Sequence, residues 1–381
     1  MRIHPTDEGR WADMALSVGA VGCGAFGKHF IELIRDHPEV DRVALCDLDA
    51  DKLGECAQKF GIEECYPSLD ELLKTDLDAV MIFTQPWLHA PQAIAAMEAG
   101  KHAYTAVPVI ALADGDEMLE WCDRVVEAAG RTGQLYMMGE TTCYRAESIF
   151  CRRKAAAGEF GHFAYSEGHY LHDISHNLKN VAKWRWGAQW DDSKRGGIPM
   201  HYPTHSTGGI IDITGAHMTH VSAMGYAMPD EDWHLPDTVS GNIYGDMIGL
   251  YRMSDGSVAR IAEMRRIGTP CQETFRLYGT EGAFESSFNG AMWLTKKTKE
   301  PVDLGEVAEP LPEALAANKG GHGGSHAYLV HEFVSACIEE RQPRVNAWQA
   351  ARFVAPGVMA YKSVQRDGEL LEVPDWGDAP E

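Results

Sequence analysis

The 381-residue chain lacks the features that mark secreted, membrane-bound and nucleic-acid-binding proteins. Its N-terminus has no apolar core of a signal peptide, and no stretch reaches the roughly 18 apolar residues of a membrane-spanning helix. Positive charge is scarce, since 34 Lys and Arg stand against 56 Asp and Glu and give a formal charge of −22. Such a chain repels phosphate backbones and anionic lipid, so we expect no nucleic acid and no membrane as partner.

The cysteines also lack any pattern that predicts a metal site or a disulfide framework. There are nine of them, an odd number, and none belongs to a CxxC pair. Zinc sites need clustered ligands and disulfide frameworks need paired cysteines. The sequence therefore predicts no metal and reduced thiols, which are typical of a cytoplasmic protein.

Length and composition predict two globular domains, because one hydrophobic core rarely organises this many residues. Early in the chain, short apolar strands alternate with amphipathic helices, a pattern typical of a doubly wound parallel sheet. We therefore predict an α/β protein with a Rossmann domain over residues 1–140, of which 1–14 form an N-terminal arm.

Longer strand-like stretches and turn sequences follow, and they predict a second domain of a different kind. Ser-Asp-Gly at 254–256, for example, favours a hairpin. We predict an α+β domain with a largely antiparallel open sheet over residues 141–381, with C-terminal helices packing back at the domain junction. The predicted strands of this domain are His162–Tyr170, Val239–Met253, Ser257–Arg265, Glu273–Tyr278 and Ala283–Ser287.

A glycine-rich turn follows the first predicted strand and opens the first helix. Residues 22–27 read Gly-Cys-Gly-Ala-Phe-Gly, a GxGxxG pattern that permits a tight turn and a close approach of pyrophosphate. Asp47 ends the second predicted strand, where a carboxylate accepts hydrogen bonds from the adenosine ribose. Because Leu48 follows and no nearby cation would offset a 2′-phosphate, we expect NAD and not NADP.

Three further segments of the first domain resemble a known family. They are Thr-Gln-Pro-Trp-Leu-His at 84–89, Glu-Ala-Gly-Lys-His at 98–102 and Ala-Val-Pro at 106–108. Together they resemble the Gfo/Idh/MocA family of glucose-fructose oxidoreductases and inositol dehydrogenases. The resemblance covers nearly the whole chain. That family usually has Glu-Lys-Pro at the third segment, and its lysine assists hydroxyl oxidation beside the nicotinamide. Here Ala106 and Val107 stand at those positions, which disfavours an ordinary sugar dehydrogenase mechanism.

A fourth segment is similar to one branch of that family, the NAD-dependent retaining α-N-acetylgalactosaminidases and related glycoside hydrolases. Tyr-Pro-Thr-His at 202–205 matches this branch, which also tends to have valine before the proline at 108. The resemblance implies NAD as cofactor and a glycoside of an N-acetylhexosamine, or of an anionic sugar such as sulfoquinovose, as substrate. The expected cofactor contacts are Gly22, Cys23, Gly24, Ala25, Phe26, Gly27, Asp47, Thr84, Pro86, His89, Val107 and Pro108.

The resemblance also implies hydrolysis through transient oxidation. The sugar would be oxidised at C3, the C2 proton would become acidic, the C1 substituent would leave by elimination, water would add, and the retained NADH would restore C3. This cycle needs one base for the hydroxyl and another for C2. The imidazole of His205 suits the first role because it titrates near neutrality, and Tyr170 and Tyr202 are alternatives for the second. The expected catalytic residues are His205, Tyr202, Tyr170 and Glu140.

Aromatic and basic side chains supply candidates for sugar binding. Lys-Trp-Arg-Trp at 183–186 combines flat faces on which sugars stack with cations that orient an anionic group. The glycines of Gly-Gly-His-Gly-Gly at 320–324 predict a mobile loop over the substrate and disfavour a metal site. The expected substrate contacts are Tyr144, Trp184, Arg185, Lys194, Arg195 and His322.

Two alternative functions stay open. One is a conventional NAD-dependent sugar or polyol dehydrogenase with His205 as base, which the missing lysine disfavours. The other is a non-enzymatic NAD-sensing regulator, which the cluster of tyrosine and histidine disfavours. The resemblance also implies a homo-oligomer, either a dimer or a tetramer.

Overall fold

The computed structural model describes residues 15–173, 198–227, 242–269, 271–318 and 320–380. Within them, all nine cysteines are free thiols. No helix in the described part of the chain combines the length and the apolar character needed to cross a membrane.

Six parallel strands form the first sheet. They are β1 (Leu16–Val21), β2 (Val40–Cys46), β3 (Cys65–Tyr66), β4 (Ala79–Ile82), β5 (His102–Thr105) and β6 (Tyr136–Met138). Their order is β3-β2-β1-β4-β5-β6, and every neighbouring pair is parallel. The predicted doubly wound sheet is confirmed. The strand order reverses between β1 and β4, so their carboxyl ends border the crevice where such sheets bind ligands.

The helices of this region begin and end where local chemistry dictates. They are α1 (Ala25–Arg35), α2 (Ala50–Phe60), α3 (Leu69–Leu72), α4 (His89–Glu98) and α5 (Gly115–Thr132). The carboxylates of Asp49 and Asp114 accept hydrogen bonds from the first free N–H groups of α2 and α5. Each of these helices ends at a glycine in the left-handed conformation, Gly61 for α2 and Gly133 for α5. This backbone conformation is strained for residues that carry a side chain.

Nine strands of the described residues form the second sheet. They are β7 (Phe163–Leu171), β8 (Met218–Ala227), β9 (Tyr244–Met253), β10 (Val258–Met264), β11 (Gln272–Gly279), β12 (Gly282–Ser287), β13 (Gly290–Thr295), β14 (Lys299–Val302) and β15 (Leu371–Glu372). The order is β14-β13-β12-β11-β7-β10-β9-β8-β15, and only the pair β7 and β10 is parallel. The predicted largely antiparallel sheet is confirmed.

The sequence located some strands of this sheet and missed others. Four of the five predicted strands agree with the structure to within one or two residues. The predicted strand Val239–Met253 begins only at Tyr244 within the described residues. Strands β8, β13, β14 and β15 were not predicted. Strand β14 contains Pro301 and lies at the sheet edge, where a missing N–H is tolerated and strand propensity is low.

The described residues after β6 contain five helices. They are α6 (Ala146–Ala156), α7 (Thr204–Thr214), α8 (Glu313–Ala317), α9 (Ser325–Ile338) and α10 (Ala347–Val364). Helix α10 is buried along nearly its whole length. Its residues Phe353 and Val358 join the core around the first sheet, whereas Ala360 and Val364 join the core of the second sheet. Helix α10 therefore packs in both cores.

Candidate active site

The glycine-rich turn after β1 has the shape that a dinucleotide requires. Gly22 has φ +102°, and a β carbon there would lie 2.9 Å from the carbonyl oxygen of Phe83. A β carbon at Gly27 would lie 2.0 Å from the carbonyl oxygen of Gly22, so only glycine lets α1 start this close to β1. No atom lies within 4 Å of a β carbon built at Gly24 among the described residues. The turn therefore leaves open space at the helix N-terminus, where pyrophosphate binds in such folds.

Asp47 is fixed beside this turn. Its Oδ2 accepts a hydrogen bond from the backbone N–H of Cys23 at 2.7 Å, and its Oδ1 accepts one from Asp49 at 2.8 Å. The carboxylate is therefore oriented by two backbone donors before any ligand binds. The following residue, Leu48, is 86% exposed and contributes no positive charge.

His89 connects the loops that follow β4 and β5. The side chain is buried, its Nδ1 lies 2.8 Å from the carbonyl oxygen of Pro108, and its Nε2 lies 3.1 Å from that of Thr84. Burial lowers the pKa of His89, although the two carbonyls oppose this effect. His89 thus holds two predicted cofactor-binding loops in place. Direct contact of Thr84, Pro86, His89, Val107 and Pro108 with a cofactor stays a prediction.

His205 and Glu140 form a buried pair, although they come from different elements. Glu140 follows β6, and its Oε1 accepts hydrogen bonds from the backbone N–H and the hydroxyl of Thr142 at 2.9 and 2.7 Å. His205 lies in the first turn of α7, and its Nδ1 is 2.7 Å from the same Oε1. The carboxylate of Glu140 therefore fixes the imidazole and leaves Nε2 for chemistry.

The charges of this pair stabilise one another. Burial opposes protonation of His205, but the carboxylates of Glu140 and Glu273 outweigh it and raise its pKa. Burial likewise opposes the charge of Glu140, but the nearby His205 and its hydrogen bonds lower the pKa of this carboxyl. His205 is thus a stronger base than an ordinary imidazole.

Both predicted catalytic tyrosines lie beside His205. The hydroxyl of Tyr202 is 3.5 Å from His205 Nε2. The ring of Tyr170 stacks on the imidazole with centroids 5.5 Å apart and planes 13° from parallel. The guanidinium carbon of Arg265 lies 4.4 Å from the centroid of the Tyr170 ring. The four predicted catalytic residues therefore meet in one place.

The structure adds a second imidazole–carboxylate pair that sequence reasoning missed. His172 directly follows β7, and its Nε2 lies 3.0 Å from Oε1 of Glu273 on β11. Glu273 also forms a salt bridge with Arg145. The ring of His172 stacks on Tyr170 with centroids 3.8 Å apart and planes 11° from parallel. Tyr170 is therefore stacked against two histidines, each paired with its own carboxylate.

Sheet pairing explains why these residues meet. In the register of β7 with β11, Tyr170 is directly opposite Glu273, and in the register with β10 it is opposite Glu263. Residues directly opposite in neighbouring strands share a face of the sheet. The only local signal was the alternation that places Tyr170 and His172 on one side of the chain; the partner Glu273 depends on a register that the sequence does not reveal.

Glu263 is a fully buried carboxyl near the site, and its pKa is raised. It accepts a hydrogen bond from the hydroxyl of Ser206, and its Oε2 lies 2.9 Å from the guanidinium of Arg265. Burial raises the pKa of Glu263 to about 7, although Arg265 and Ser206 favour the charged form.

His322 and His326 form a hydrogen-bonded pair beside the nucleotide-binding turn. The backbone N–H of Gly321 donates to Nδ1 of His326 at 3.2 Å, and His326 Nε2 lies 2.8 Å from Nδ1 of His322. His326 therefore donates from Nε2, and His322 carries its own proton on the other nitrogen. The ring of His326 stacks on Phe30 and contacts the edge of Phe26. Substrate contact by His322 stays a prediction.

The remaining predicted contacts divide into buried and undescribed residues. Tyr144 is only 4% exposed and packs in the core, so its contact with a sugar stays a prediction. Trp184, Arg185, Lys194 and Arg195 lie outside the described residues. His201, which precedes the Tyr-Pro-Thr-His motif, is buried and turned toward the carbonyl oxygen of Leu112 at 2.8 Å.

One other histidine cluster deserves comparison with a metal site. Ligand atoms of His37, Glu39 and His331 lie within 4.8 Å of one another. The N–H of Glu39 donates to His37 Nδ1 at 3.2 Å, so His37 carries its proton on Nε2, which is 3.1 Å from His331 Nδ1. A hydrogen bond between the two imidazoles accounts for this arrangement without an ion.

Two protein-family models match consecutive parts of the chain. Residues 16–140 match the model described as Gfo/Idh/MocA oxidoreductase family, NAD-binding Rossmann fold. Residues 152–372 match the model of the C-terminal alpha/beta domain of that oxidoreductase family.

Similar curated proteins are named as glycosidases. The alpha-N-acetylgalactosaminidase of Shewanella oneidensis is 31% identical, and the alignment covers 94% of this chain and 84% of that protein. A glycosyl hydrolase family 109 protein of Saccharopolyspora erythraea is 27% identical over 96% of this chain and 84% of that protein.

Solved structures with the same fold include sugar and polyol dehydrogenases. Levoglucosan dehydrogenase in complex with NADH has a TM-score of 0.76 and 19% identity, covering 95% of this chain and 100% of that one. Scyllo-inositol dehydrogenase from Lactobacillus casei with bound NAD(H) and scyllo-inositol has a TM-score of 0.72 and 16% identity, covering 94% and 99%. At such identities the likeness establishes the fold alone.

Proposed function

Since the chain belongs to the Gfo/Idh/MocA oxidoreductase family, in its branch of NAD-dependent glycosidases, we propose that this enzyme hydrolyses glycosides through transient oxidation at C3 of the sugar. The observation that carries the proposal is the buried His205–Glu140 pair, with Tyr170 and Tyr202 beside it. This group can accept and return protons at a sugar ring.

The residues of the first domain fit an NAD-type cofactor. The turn at 22–27 offers glycine wherever a side chain would collide, and Asp47 is held beside it by backbone N–H groups. When bound there, NAD⁺ supplies a hydride acceptor for the sugar carbon and later returns the hydride to the same carbon. We assign the adenosine ribose hydroxyls to Asp47 and the pyrophosphate to the N–H groups at the start of α1.

His205 is the base for the sugar hydroxyl in this proposal. Glu140 keeps the proton of the neutral imidazole on Nδ1, so the lone pair on Nε2 is available to take the C3 hydroxyl proton. The buried carboxylate then stabilises the imidazolium that forms. Val107 stands where the wider family has lysine, and its side chain is almost fully buried, so no ammonium group assists at that position.

For the substrate we propose an α-linked N-acetylhexosaminide, because a relative at 31% identity is named alpha-N-acetylgalactosaminidase. An anionic sugar such as sulfoquinovose is the alternative. The basic and aromatic side chains that suggested it, at 183–195, lie outside the described residues.

The test is a panel of nitrophenyl glycosides, including an N-acetylgalactosaminide and a sulfoquinovoside, incubated with the enzyme and NAD⁺. We expect release of nitrophenol from one member while the absorbance of free NADH stays constant, because the cofactor is restored in each turnover. Accumulation of NADH in proportion to product would instead identify a conventional dehydrogenase. No change in either signal with any member would contradict the proposal.

A further inference from the structure

The proposed hydrolysis requires a second base for the C2 proton, and the structure contains a second imidazole stacked on Tyr170 and paired with a carboxylate. We propose that His172 takes this proton, that Glu273 is the residue that positions it, and that Tyr170 holds the rings of His172 and His205 by stacking on both. The inference rests on the proposed function and names a residue for a step that the sequence left to Tyr170 or Tyr202.

The orientation of the His172 imidazole leaves a lone pair that can take a proton. His172 Nε2 lies 3.0 Å from Glu273 Oε1, and an ionised carboxylate can only accept, so the neutral ring carries its proton on Nε2. The lone pair is therefore on Nδ1, which has no hydrogen-bond partner among the described residues. The same logic leaves Nε2 of His205 unprotonated, since its Nδ1 faces Glu140. Each carboxylate thus prepares one imidazole as a proton acceptor.

The imidazoles of His172 and His205 both lie close to Tyr170. The two reacting positions, the C3 hydroxyl and the C2 hydrogen, are on adjacent carbons of one sugar ring, so their bases must lie close together. Both imidazoles stack nearly parallel to Tyr170, with centroid distances of 3.8 Å for His172 and 5.5 Å for His205. Both bases therefore lie against the same phenol ring.

The His172–Glu273 pair is also held in place by neighbouring residues. Glu273 is directly opposite Tyr170 in the register of β7 with β11, and Arg145 forms a salt bridge with it. The side chain of Glu273 is 11% exposed and that of His172 is 23% exposed. The carboxylate is thus largely enclosed, whereas the imidazole stays partly accessible.

An imidazole is also better suited to this step than a phenol. Phenols titrate near pH 10, so a tyrosine holds its proton at neutral pH unless its surroundings change that. Burial lowers the pKa of His172, although Glu273 opposes this effect, so the ring is neutral at pH 7. Tyr170 serves as the aromatic surface on which both histidines stack.

The proton and electron changes of the step balance. Once C3 is a ketone, the C2–H bond breaks and its proton moves to His172 Nδ1. The electron pair forms a C1–C2 double bond, the bond from C1 to the aglycone oxygen breaks, and the aglycone leaves with a proton from the medium. Water then adds at C1, and His172 returns its proton to C2.

The experiment compares two readouts in His172→Gln, Glu273→Gln, Tyr170→Phe and the matched control His169→Gln. His169 is on β7, on the other face of the sheet, where its ring contacts Thr274 and Arg260. Deuterium incorporation at C2 is followed by NMR in D₂O, and oxidation at C3 is followed in a single turnover by the absorbance of enzyme-bound NADH. Thermal unfolding and NADH binding verify that each variant is folded.

We expect His172→Gln to slow C2 exchange and nitrophenol release at least about 100-fold, a typical loss for a general base, with little change in C3 oxidation. Glu273→Gln should slow exchange and move the ¹⁵N shifts of His172 toward a mixture of tautomers, which a merely structural role would not do. His169→Gln should leave both readouts unchanged. Unchanged exchange in His172→Gln, an equal loss of C3 oxidation, or loss of exchange only in Tyr170→Phe would each overturn the inference.

The wild-type enzyme separates failure of the inference from failure of the proposed function. Wild-type cleavage that survives in His172→Gln overturns only the role of His172. Wild-type enzyme that accumulates NADH and releases no aglycone overturns the proposed function, and the role of His172 with it.

Discussion

A β carbon at Gly208 would lie only 3.0 Å from Cγ of Glu140. The same carbon would lie 2.9 Å from a ring atom of Phe353 on α10. Helix α7, which carries His205 in its first turn, can therefore approach Glu140 closely enough for their hydrogen bond only because residue 208 is glycine. A backbone position three residues after the base thus sets the geometry of the pair.

Replacing this glycine should damage both stability and activity. In Gly208→Ala the extra methyl group has to push Glu140 or Phe353 aside, so we expect a loss of roughly 1–3 kcal/mol in the free energy of unfolding. We also expect a fall in kcat, because the His205–Glu140 hydrogen bond lengthens. Thermal unfolding and steady-state kinetics measure the two effects.

The adjacent residue provides a matched control. A β carbon at Gly209 would meet Phe275 at 3.7 Å, which is an ordinary contact. Gly209→Ala should therefore keep kcat and gain up to about 1 kcal/mol from its higher helix propensity. Equal effects of the two substitutions would show that the close approach at residue 208 has no special role.

Removing the charge of Glu140 should change the pH dependence of catalysis. Glu140 raises the pKa of His205, so in Glu140→Gln this pKa falls. The reaction needs the neutral imidazole, and the acid limb of the profile of kcat/KM against pH should therefore move to lower pH. The maximum should also fall by about 100-fold or more, because glutamine does not hold the imidazole tautomer as the carboxylate does.

The control for this experiment is Glu167→Gln, a buried carboxylate that pairs with Arg260 and Arg276 away from His205. It should leave the position of the acid limb unchanged. An acid limb that stays in place in Glu140→Gln would mean that another group controls it.

Features formed by residues close together in the sequence could be predicted, whereas contacts between residues far apart in the sequence could not. The nucleotide-binding turn, the strand before it and Asp47 lie within one βαβ unit, where spacing alone determines the geometry. The candidates Glu140, Tyr170, Tyr202 and His205 were each found from motifs, but their hydrogen bonds and stacking required the folded sheet.

The pair of His172 and Glu273 was not predicted, because it depends on the register of two strands far apart in sequence. Nothing in the residues around Glu273 marks it as different from other charged strand positions. Strands β13 and β14 were missed for another reason: both are short and partly exposed, and the edge strand β14 contains Lys299, Glu300 and Pro301, which have low strand propensity.

Glu263 should make stability depend on pH in a specific direction. An ordinary glutamate loses its proton at about pH 4.3, whereas the folded protein holds this proton up to about pH 7. Between these values the folded state binds more protons than the unfolded state, so this group lowers the free energy of unfolding as pH rises. Glu263→Gln removes that contribution.

Denaturant unfolding at about pH 5 and at about pH 8 tests this effect, because these values lie on either side of most of the transition. Relative to Glu263→Gln, the wild type should be more stable at the lower pH than at the higher one. The same stability difference at both values would contradict a raised pKa for Glu263.

Asp47 should determine which dinucleotide binds. Its carboxylate repels a 2′-phosphate, and the exposed Leu48 offers a position for a cation. We expect Asp47→Ser combined with Leu48→Arg to weaken NADH binding and strengthen NADPH binding, so that the preference reverses. Fluorescence titration with both cofactors measures the change.

Leu48→Arg alone should alter the preference much less, because Asp47 still repels the phosphate. An unchanged preference in the double variant would place the ribose away from Asp47. It would also contradict the assignment of this carboxylate to the cofactor.

The most direct test of transient oxidation is the rate of aglycone release from a nitrophenyl glycoside that carries deuterium at C3. Breaking the C3–H bond is part of every turnover in this account, even though no NADH accumulates. We predict slower release from the deuterated glycoside than from the unlabelled one. Equal rates for the two, with steps after C1 cleavage shown not to limit the rate, would contradict an oxidation at C3.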